Sequence, residues 1–174
     1  NTGLQDAARA ARYRLIGLVA ADFGAKAVLT GNTLDDQAET VLMRLVRGSG
    51  LAGLAGMDIR SQRPGFWLVR PFLEIAKARL VATCVAEGWP FACDPSNANP
   101  DFTRVRMRAL LPLLAAEGLD AARLAVLARR MRGAQEVLDG AARRARPEGI
   151  AARKGRRGYG LARLAAAPME VLVA

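Results

Sequence analysis

Four polar residues within one short stretch have side chains that could bind a metal ion or a polar substrate. Asn32, Asp35, Asp36 and Glu39 lie between Val28 and Thr40, which reads VLTGNTLDDQAET. Carboxylate oxygens are ligands that Mg²⁺ prefers, and protein-bound Mg²⁺ is commonly shared with substrate phosphates. The stretch therefore predicts a magnesium-phosphate site.

The same spacing also fits a purely structural role. Thr33 and Asp36 are three residues apart, which is the spacing of a capping box at a helix N-terminus. Acidic residues are favoured in a first helical turn in any case, because they complement the helix dipole. Capping acids are far commoner than metal sites, so spacing alone favours the cap.

The elements on either side indicate how these residues are held. Val28 and Leu29 predict a short strand over 27–30, Gly31 a turn, and Leu34 the start of a helix. At helical spacing the apolar residues form one stripe, which consists of Leu34, Ala38, Val41, Leu42 and Leu45. The three acids spread over the opposite side of the helix. In open parallel α/β sheets ligands bind beyond the carboxyl ends of the strands, where this turn would lie.

Composition narrows the class of protein. The chain has 174 residues, of which 52% are hydrophobic, enough for one α/β domain and the start of another. The net charge of +10 suggests a polyanionic partner such as nucleic acid, or a solvated basic surface. The absence of histidine excludes a Ser-His-Asp triad. Cys84 and Cys93 are too few for a structural zinc site.

Further elements follow from periodicity. Helices are predicted over 5–22, 75–87 and 119–146, and a strand over 66–69. Another helical region begins at Phe102 and is expected to be broken by Pro112. The glycines from Gly48 to Gly56 either bring backbone amides towards an anion or cap and space helices. With only two cysteines, a reducing cytoplasm is the simplest setting. No segment has the roughly 20 apolar residues that a membrane span needs.

Several blocks of the sequence resemble one family. The stretch GNTLDDQAETVLMRLVRGSGLAGLAGM resembles the central signature of the tRNA(Ile)-lysidine synthetases, a branch of the PP-loop ATP pyrophosphatases. NTGLQDAARAARYRL, Val69-Arg70-Pro71-Phe72-Leu73 and DPSNANPDFTRVRMRALLPLL are similar to further family segments, in the family's order. Several blocks in register are harder to obtain by chance than one short motif.

The resemblance implies a fold and a division of the chain. The fold is α/β, with a partial Rossmann-like sheet of the adenine nucleotide alpha hydrolase type, parallel and flanked by helices, followed by a helical connector. Residues 1–115 would form the nucleotide-binding domain. Residues 116–174 would form the connector and the start of a basic region that contacts tRNA.

The resemblance also implies a reaction. ATP would adenylate the wobble cytidine of tRNA(Ile) with a CAU anticodon, and the ε-amine of free L-lysine would displace AMP. Asp36 would hold Mg²⁺ or the lysine ammonium, with Asp35 and Glu39 in support. ATP or its phosphates would contact Gly31, Asn32 and four arginines, namely Arg9, Arg12, Arg104 and Arg108. Asp94 and Asn97 would shape the substrate pocket. No membrane is expected, and a homodimer is compatible with this scheme.

Some positions depart from the family pattern. The family's Ser-Gly-Gly-x-Asp-Ser loop is not in this sequence and would lie before Asn1, so the chain is expected to be a fragment that is inactive alone. Asn32 stands where histidine is common, Gln5 where an acid is usual, and Val105 where a polar residue is frequent. Two rival functions remain, a PP-loop tRNA thiolase and a non-catalytic RNA-binding module.

Overall fold

A three-stranded sheet lies at the centre of the fold in this computed structural model. The structure describes residues 2–92, 99 and 101–145, with the backbone only for residues 2–6 and 9. The strands are β1 (Ala27–Leu29), β2 (Arg60–Arg63) and β3 (Phe66–Val69), in the order β1-β3-β2. Strand β1 pairs with β3 in parallel, and β2 pairs with β3 in the opposite direction.

The α/β class is therefore confirmed, and the sheet is mixed instead of wholly parallel. Strand β2 was not predicted because its sequence, Arg-Ser-Gln-Arg, has no apolar residue and no strand-like composition. It forms because Gly65, at φ +86°, closes a hairpin that pairs Arg63 with Phe66.

Helix α1 (Thr2–Asp22) covers part of the sheet and ends before Gly24, as the sequence predicts. Its contact with the sheet uses Gly17 and Ala20, and a Cβ added at Gly17 would lie 3.3 Å from the ring of Phe66. Small residues thus let the helix approach β3 closely. Other apolar residues of α1, and Phe23 just after it, are more than half exposed: in the helix these are Leu15, Leu18 and Val19.

Helices α2 (Leu34–Val46) and α6 (Ala121–Ala145) form a second core. Ala38 and Val41 of α2 are fully buried against Leu124 and Ala128 of α6, which are at most 1% exposed. Arg132 extends this contact, because its Nη2 donates to the carbonyls of Ala55 and Met57, each over 2.8 Å. The long helix α6 is therefore packed on the α/β unit.

Two further helices differ from the sequence predictions in their extent. Helix α4 (Lys77–Ala86) is shorter than the predicted 75–87, and α5 (Thr103–Ala116) runs through Pro112 without interruption. The predicted break at Pro112 is thus wrong. A proline inside a helix removes one backbone hydrogen bond, and here the helix continues despite that loss.

The glycine-rich segment after α2 is a helix terminator followed by a tight turn. Gly48, at φ +68°, donates its N–H to Leu45 O over 2.9 Å, and Ser49 donates to Arg44 O over 3.0 Å. These two bonds form a Schellman motif. The short helix α3 (Leu51–Leu54) follows, and Arg44 Nη1 donates to the carbonyls of Gly53 and Gly56. The glycines of this segment therefore cap and space helices, which is the second of the two roles that the sequence allows.

Within the described residues, no helix combines the length and the apolar composition that crossing a bilayer demands.

Candidate functional site

The predicted capping box is present at the start of α2. Oδ2 of Asp36 accepts a hydrogen bond from the backbone N–H of Thr33 over 2.8 Å. In return the backbone N–H of Asp36 donates to Oγ1 of Thr33 over 3.5 Å. Asp36 is nonetheless only half-buried, and its Oδ1 lies 3.8 Å from Nη1 of Arg104. One carboxylate oxygen therefore caps the helix while the other lies near a cation.

Asp35 reaches a different helix. Its Oδ2 accepts a hydrogen bond of 2.7 Å from the backbone N–H of Lys77, the first residue of α4. The backbone supports the same contact, because the N–H of Leu34 donates to the carbonyl of Ile75 over 3.0 Å. The N-termini of α2 and α4 are thus joined at two points.

Glu39 is buried, although the helical pattern predicts that it lies on an outward acidic face. Only 1% of its surface is exposed, because α5 lies across this side of α2. Oε1 of Glu39 accepts a 2.8 Å hydrogen bond from Nε of Arg108, and Oε2 lies 3.5 Å from Nη1 of Arg104. Arg104 and Arg108 are one helical turn apart and so reach the same carboxylate.

A cavity of about 680 Å³ opens beside these groups. Its polar wall includes Asp35, Asp36, Glu39 and Arg108. The remaining wall is largely apolar and comes from α4, α5 and the segment after α4; it includes Leu80, Val81, Phe91, Leu111 and Pro112. Carboxylates and a guanidinium on one side and an apolar wall on the other suit a ligand with both a charged group and a flat or aliphatic part.

Other residues predicted from the sequence are placed as follows. Gly31 lines the cavity, and a Cβ added there would meet no atom within 4 Å. Asn32 accepts a 2.9 Å hydrogen bond from Oγ1 of Thr30 and is not part of the cavity lining. Arg12 is exposed on α1 and does not line the cavity either. The side chain of Arg9, and all of Asp94 and Asn97, lie outside the described residues.

The sequence reasoning missed part of the lining. Lys77, Cys84 and Phe91 all contribute to the cavity, and none was assigned a role at this site. Their signal is weak because each lies far along the chain from Asp36; Lys77 and Cys84 belong to an ordinary amphipathic helix, and Phe91 to the segment after it. The hydrogen bonds that join the N-termini of α2 and α4 bring this part of the chain to the site.

The carboxylates of the site can supply only part of a magnesium coordination shell. No group of three or more acidic or cysteine side chains in the described part of the chain is arranged to hold a metal ion. Mg²⁺ needs only one or two protein carboxylates when phosphates and water supply its other ligands. Asp36 has one oxygen outside its capping bond to Thr33 N, so the site fits an ion held mainly by a nucleotide and not one held by protein alone.

Residues 1–114 match the family model described as the PP-loop domain. Among the curated proteins, the chain is 57% identical over 172 residues to a tRNA(Ile)-lysidine synthase of Methylobacterium sp. strain 4-46, covering 98% of this chain and 50% of that protein. It is 61% identical over 141 residues to the tRNA(Ile)-lysidine synthase of Methylobacterium nodulans, covering 81% and 42%. The chain thus spans about half the length of the curated relatives it matches.

A solved structure shares the fold. The U34-tRNA thiolase NcsA of Methanococcus maripaludis, with its [4Fe-4S] cluster, superposes with a TM-score of 0.55 at 16% identity, covering 88% of this chain and 48% of the thiolase. At this identity the likeness supports the fold class alone.

Proposed function

This chain belongs to the PP-loop domain family, and from that premise we propose that the intact gene product is a ligase that forms lysidine in tRNA(Ile). ATP adenylates the C2 oxygen of the wobble cytidine and releases pyrophosphate. The ε-amine of lysine then attacks C2, the C2–O bond breaks, and AMP leaves. The relatives named tRNA(Ile)-lysidine synthase, at 57% and 61% identity, support this choice of reaction.

The cavity beside Asp36 is the observation that carries the proposal. It lies at the turn after β1, it has a volume of about 680 Å³, and it is bounded by carboxylates and by Arg108. Two substrates that must meet need a recess in which charge and position are fixed, since positioning and electrostatic stabilisation supply much of the rate in such reactions.

Asp36 is proposed to act on lysine. In water the ε-amine has a pKa near 10.4, so it arrives as an ammonium ion that a carboxylate attracts. It must lose a proton before it can attack, and a carboxylate at hydrogen-bonding distance can accept or orient that proton. Oδ1 of Asp36 is suited to this because Oδ2 is already engaged by the N–H of Thr33. The alternative role for Asp36 is to hold Mg²⁺ that is bound with ATP, where the ion would neutralise phosphate charge.

Arg108 and Arg104 are proposed to contact phosphate. Their position one turn apart on α5, with Glu39 between them, fixes two guanidinium groups near the cavity. Guanidinium groups bind phosphate with charge-assisted hydrogen bonds. Gly31 leaves open space at the cavity wall for the nucleotide. Asn32, Arg9 and Arg12 remain predicted ATP contacts, and Asp94 and Asn97 remain predicted pocket residues.

The basic part of the chain is proposed to meet the tRNA. The excess of 26 Lys and Arg over 16 Asp and Glu favours a polyanion, and phosphate contacts of this kind weaken as salt rises. We assign residues 116–174 to a helical connector, which includes α6, followed by the start of a basic region that contacts tRNA. We place the reaction in the cytoplasm.

The experiment that tests the proposal mixes the intact gene product with ATP, ¹⁴C-lysine and a tRNA(Ile) transcript with a CAU anticodon. Lysine should become acid-precipitable with the tRNA, one AMP should form for each lysine, and the modified nucleoside should appear on digestion. A transcript with uridine at the wobble position is the matched control and should accept no lysine.

Other outcomes identify the rivals. Sulfur incorporation from a sulfide donor, without lysine incorporation, would indicate a thiolase. Binding of the transcript with no ATP consumption would indicate an RNA-binding module. Either result would reject the proposed ligase.

A further inference from the structure

The N-terminus of α4 has no cap of its own. Its N-cap residue is Ala76, whose side chain has no acceptor, and no acidic residue occupies its first turn. The first N–H groups of a helix need an external partner. Here the N–H of Lys77 finds that partner in Oδ2 of Asp35, 42 residues earlier in the chain, over 2.7 Å.

Helix α4 also forms a wall of the cavity. Lys77, Leu80, Val81 and Cys84 all line it, and they follow the helical spacing of one face. The position of this wall therefore depends on how the start of α4 is fixed relative to α2.

We propose that Asp35 is a positioning residue, which caps α4 from α2 and thereby holds the cavity wall that carries Lys77. The test of this role by lysine transfer rests on the proposed function, whereas the test by hydrogen exchange does not. Asp35 then acts through α4, whereas Asp36, the next residue, acts on the substrate. The adjacent pair of acids thus divides two tasks, which their separate hydrogen bonds to Lys77 N and Thr33 N express.

Capping a helix and accepting a proton require different properties of the side chain. A cap needs only an oxygen acceptor, and asparagine caps helices about as well as aspartate. A proton acceptor needs the basic carboxylate, which asparagine lacks. Asp35→Asn and Asp35→Ala in the intact gene product therefore separate the two roles.

We expect Asp35→Ala to reduce kcat/KM for lysine transfer by roughly tenfold, since one cap is lost, and Asp35→Asn, which keeps the cap, to lose at least about threefold less. Amide hydrogen exchange at Lys77 should accelerate by roughly fivefold or more in Asp35→Ala and little in Asp35→Asn.

A cap placed on α4 itself provides a rescue. Ala76 has an extended backbone, with φ −63° and ψ 139°, and is exposed, so an aspartate there can cap the helix locally. The double variant Asp35→Ala with Ala76→Asp should gain exchange protection at Ala78 or Arg79, the N2 and N3 positions that an N-cap side chain reaches, and should recover most of the lost transfer rate. Ala76→Asp alone is the matched control and should change neither quantity by more than about twofold.

Three results would overturn this role. The first is an equal loss of transfer in Asp35→Asn and Asp35→Ala, and the second is recovery of exchange protection without recovery of transfer in the double variant. The third is unchanged exchange at Lys77 in Asp35→Ala. Because hydrogen exchange requires no substrate, the cap is tested even where the unsubstituted protein transfers no lysine, a result that would reject the proposed ligase instead.

Discussion

Arg108 donates its Nε–H to Oε1 of Glu39 over 2.8 Å, and this pair joins α5 to α2 beside the cavity. The two partners differ in environment: the Glu39 side chain is 1% exposed and that of Arg108 is 41% exposed. A buried carboxylate needs partners, and Arg104 supplies a second one at 3.5 Å. The pair therefore serves stability through Glu39 and leaves Arg108 at the cavity lining.

Glu39→Gln is expected to lower the free energy of unfolding by about 1–3 kcal/mol, because two arginines lose their shared counter-charge. The loss is below that of a fully buried pair, since water reaches both arginine side chains. Urea unfolding followed by circular dichroism measures it. Glu136→Gln, at an exposed position on α6, is the control; equal unfolding energies for the two variants would show that the pair contributes nothing.

Arg108→Ala is expected to raise the KM for ATP or tRNA by at least about tenfold, because a charge-assisted phosphate contact is lost. Steady-state kinetics of lysine transfer measures this. Arg106→Ala is the matched control on the same helix, since Arg106 instead donates to Asp101 O and Thr103 Oγ1. A KM for both substrates that equals that of the control would remove Arg108 from the binding site.

Gly31→Val is expected to weaken ATP binding by about tenfold or more without lowering the melting temperature appreciably. The added atoms have room, because no atom lies within 4 Å of a Cβ at Gly31, but they occupy the cavity that the nucleotide is proposed to enter. Isothermal titration with ATP and a thermal scan test both halves. Gly50→Val, another position with an open Cβ, is the control; unaltered ATP affinity in Gly31→Val would place the nucleotide elsewhere.

The sequence predicts correctly those features that depend on residues close together in the chain. Thr33 and Asp36 give the capping box at the start of α2, and the apolar run from Phe66 to Val69 gives β3. Gly24 ends α1 in the left-handed conformation that its position predicts. These features depend on neighbours within a few residues, which a single sequence displays directly.

The rest depends on contacts between distant parts of the chain. Glu39 has the helical position of an exposed acid, yet it is buried by Arg104 and Arg108, 65 and 69 residues later. Asp35 has the position of a first-turn acid of its own helix, yet it caps α4. Strand β2 is visible only through its pairing with β3. A single sequence does not show which distant residues will come into contact. The roles that these contacts suggest at the site therefore become visible only in the structure.

Asp36→Asn is the most direct test of the claim that the carboxylate at the start of α2 serves the reaction. Asparagine keeps an oxygen that can accept from Thr33 N, so the capping box and the fold should survive. Asp120→Asn is the matched control, because Asp120 also caps a helix, accepting from Arg123 N over 2.8 Å, but does not line the cavity.

The measurement is single-turnover transfer of ¹⁴C-lysine to tRNA(Ile) by the two folded variants of the intact gene product. We expect the rate for Asp36→Asn to fall by about 100-fold or more, as for loss of a proton acceptor, while Asp120→Asn stays near the unsubstituted rate. A rate for Asp36→Asn within threefold of the control would contradict the assignment and leave Asp36 as a helix cap only.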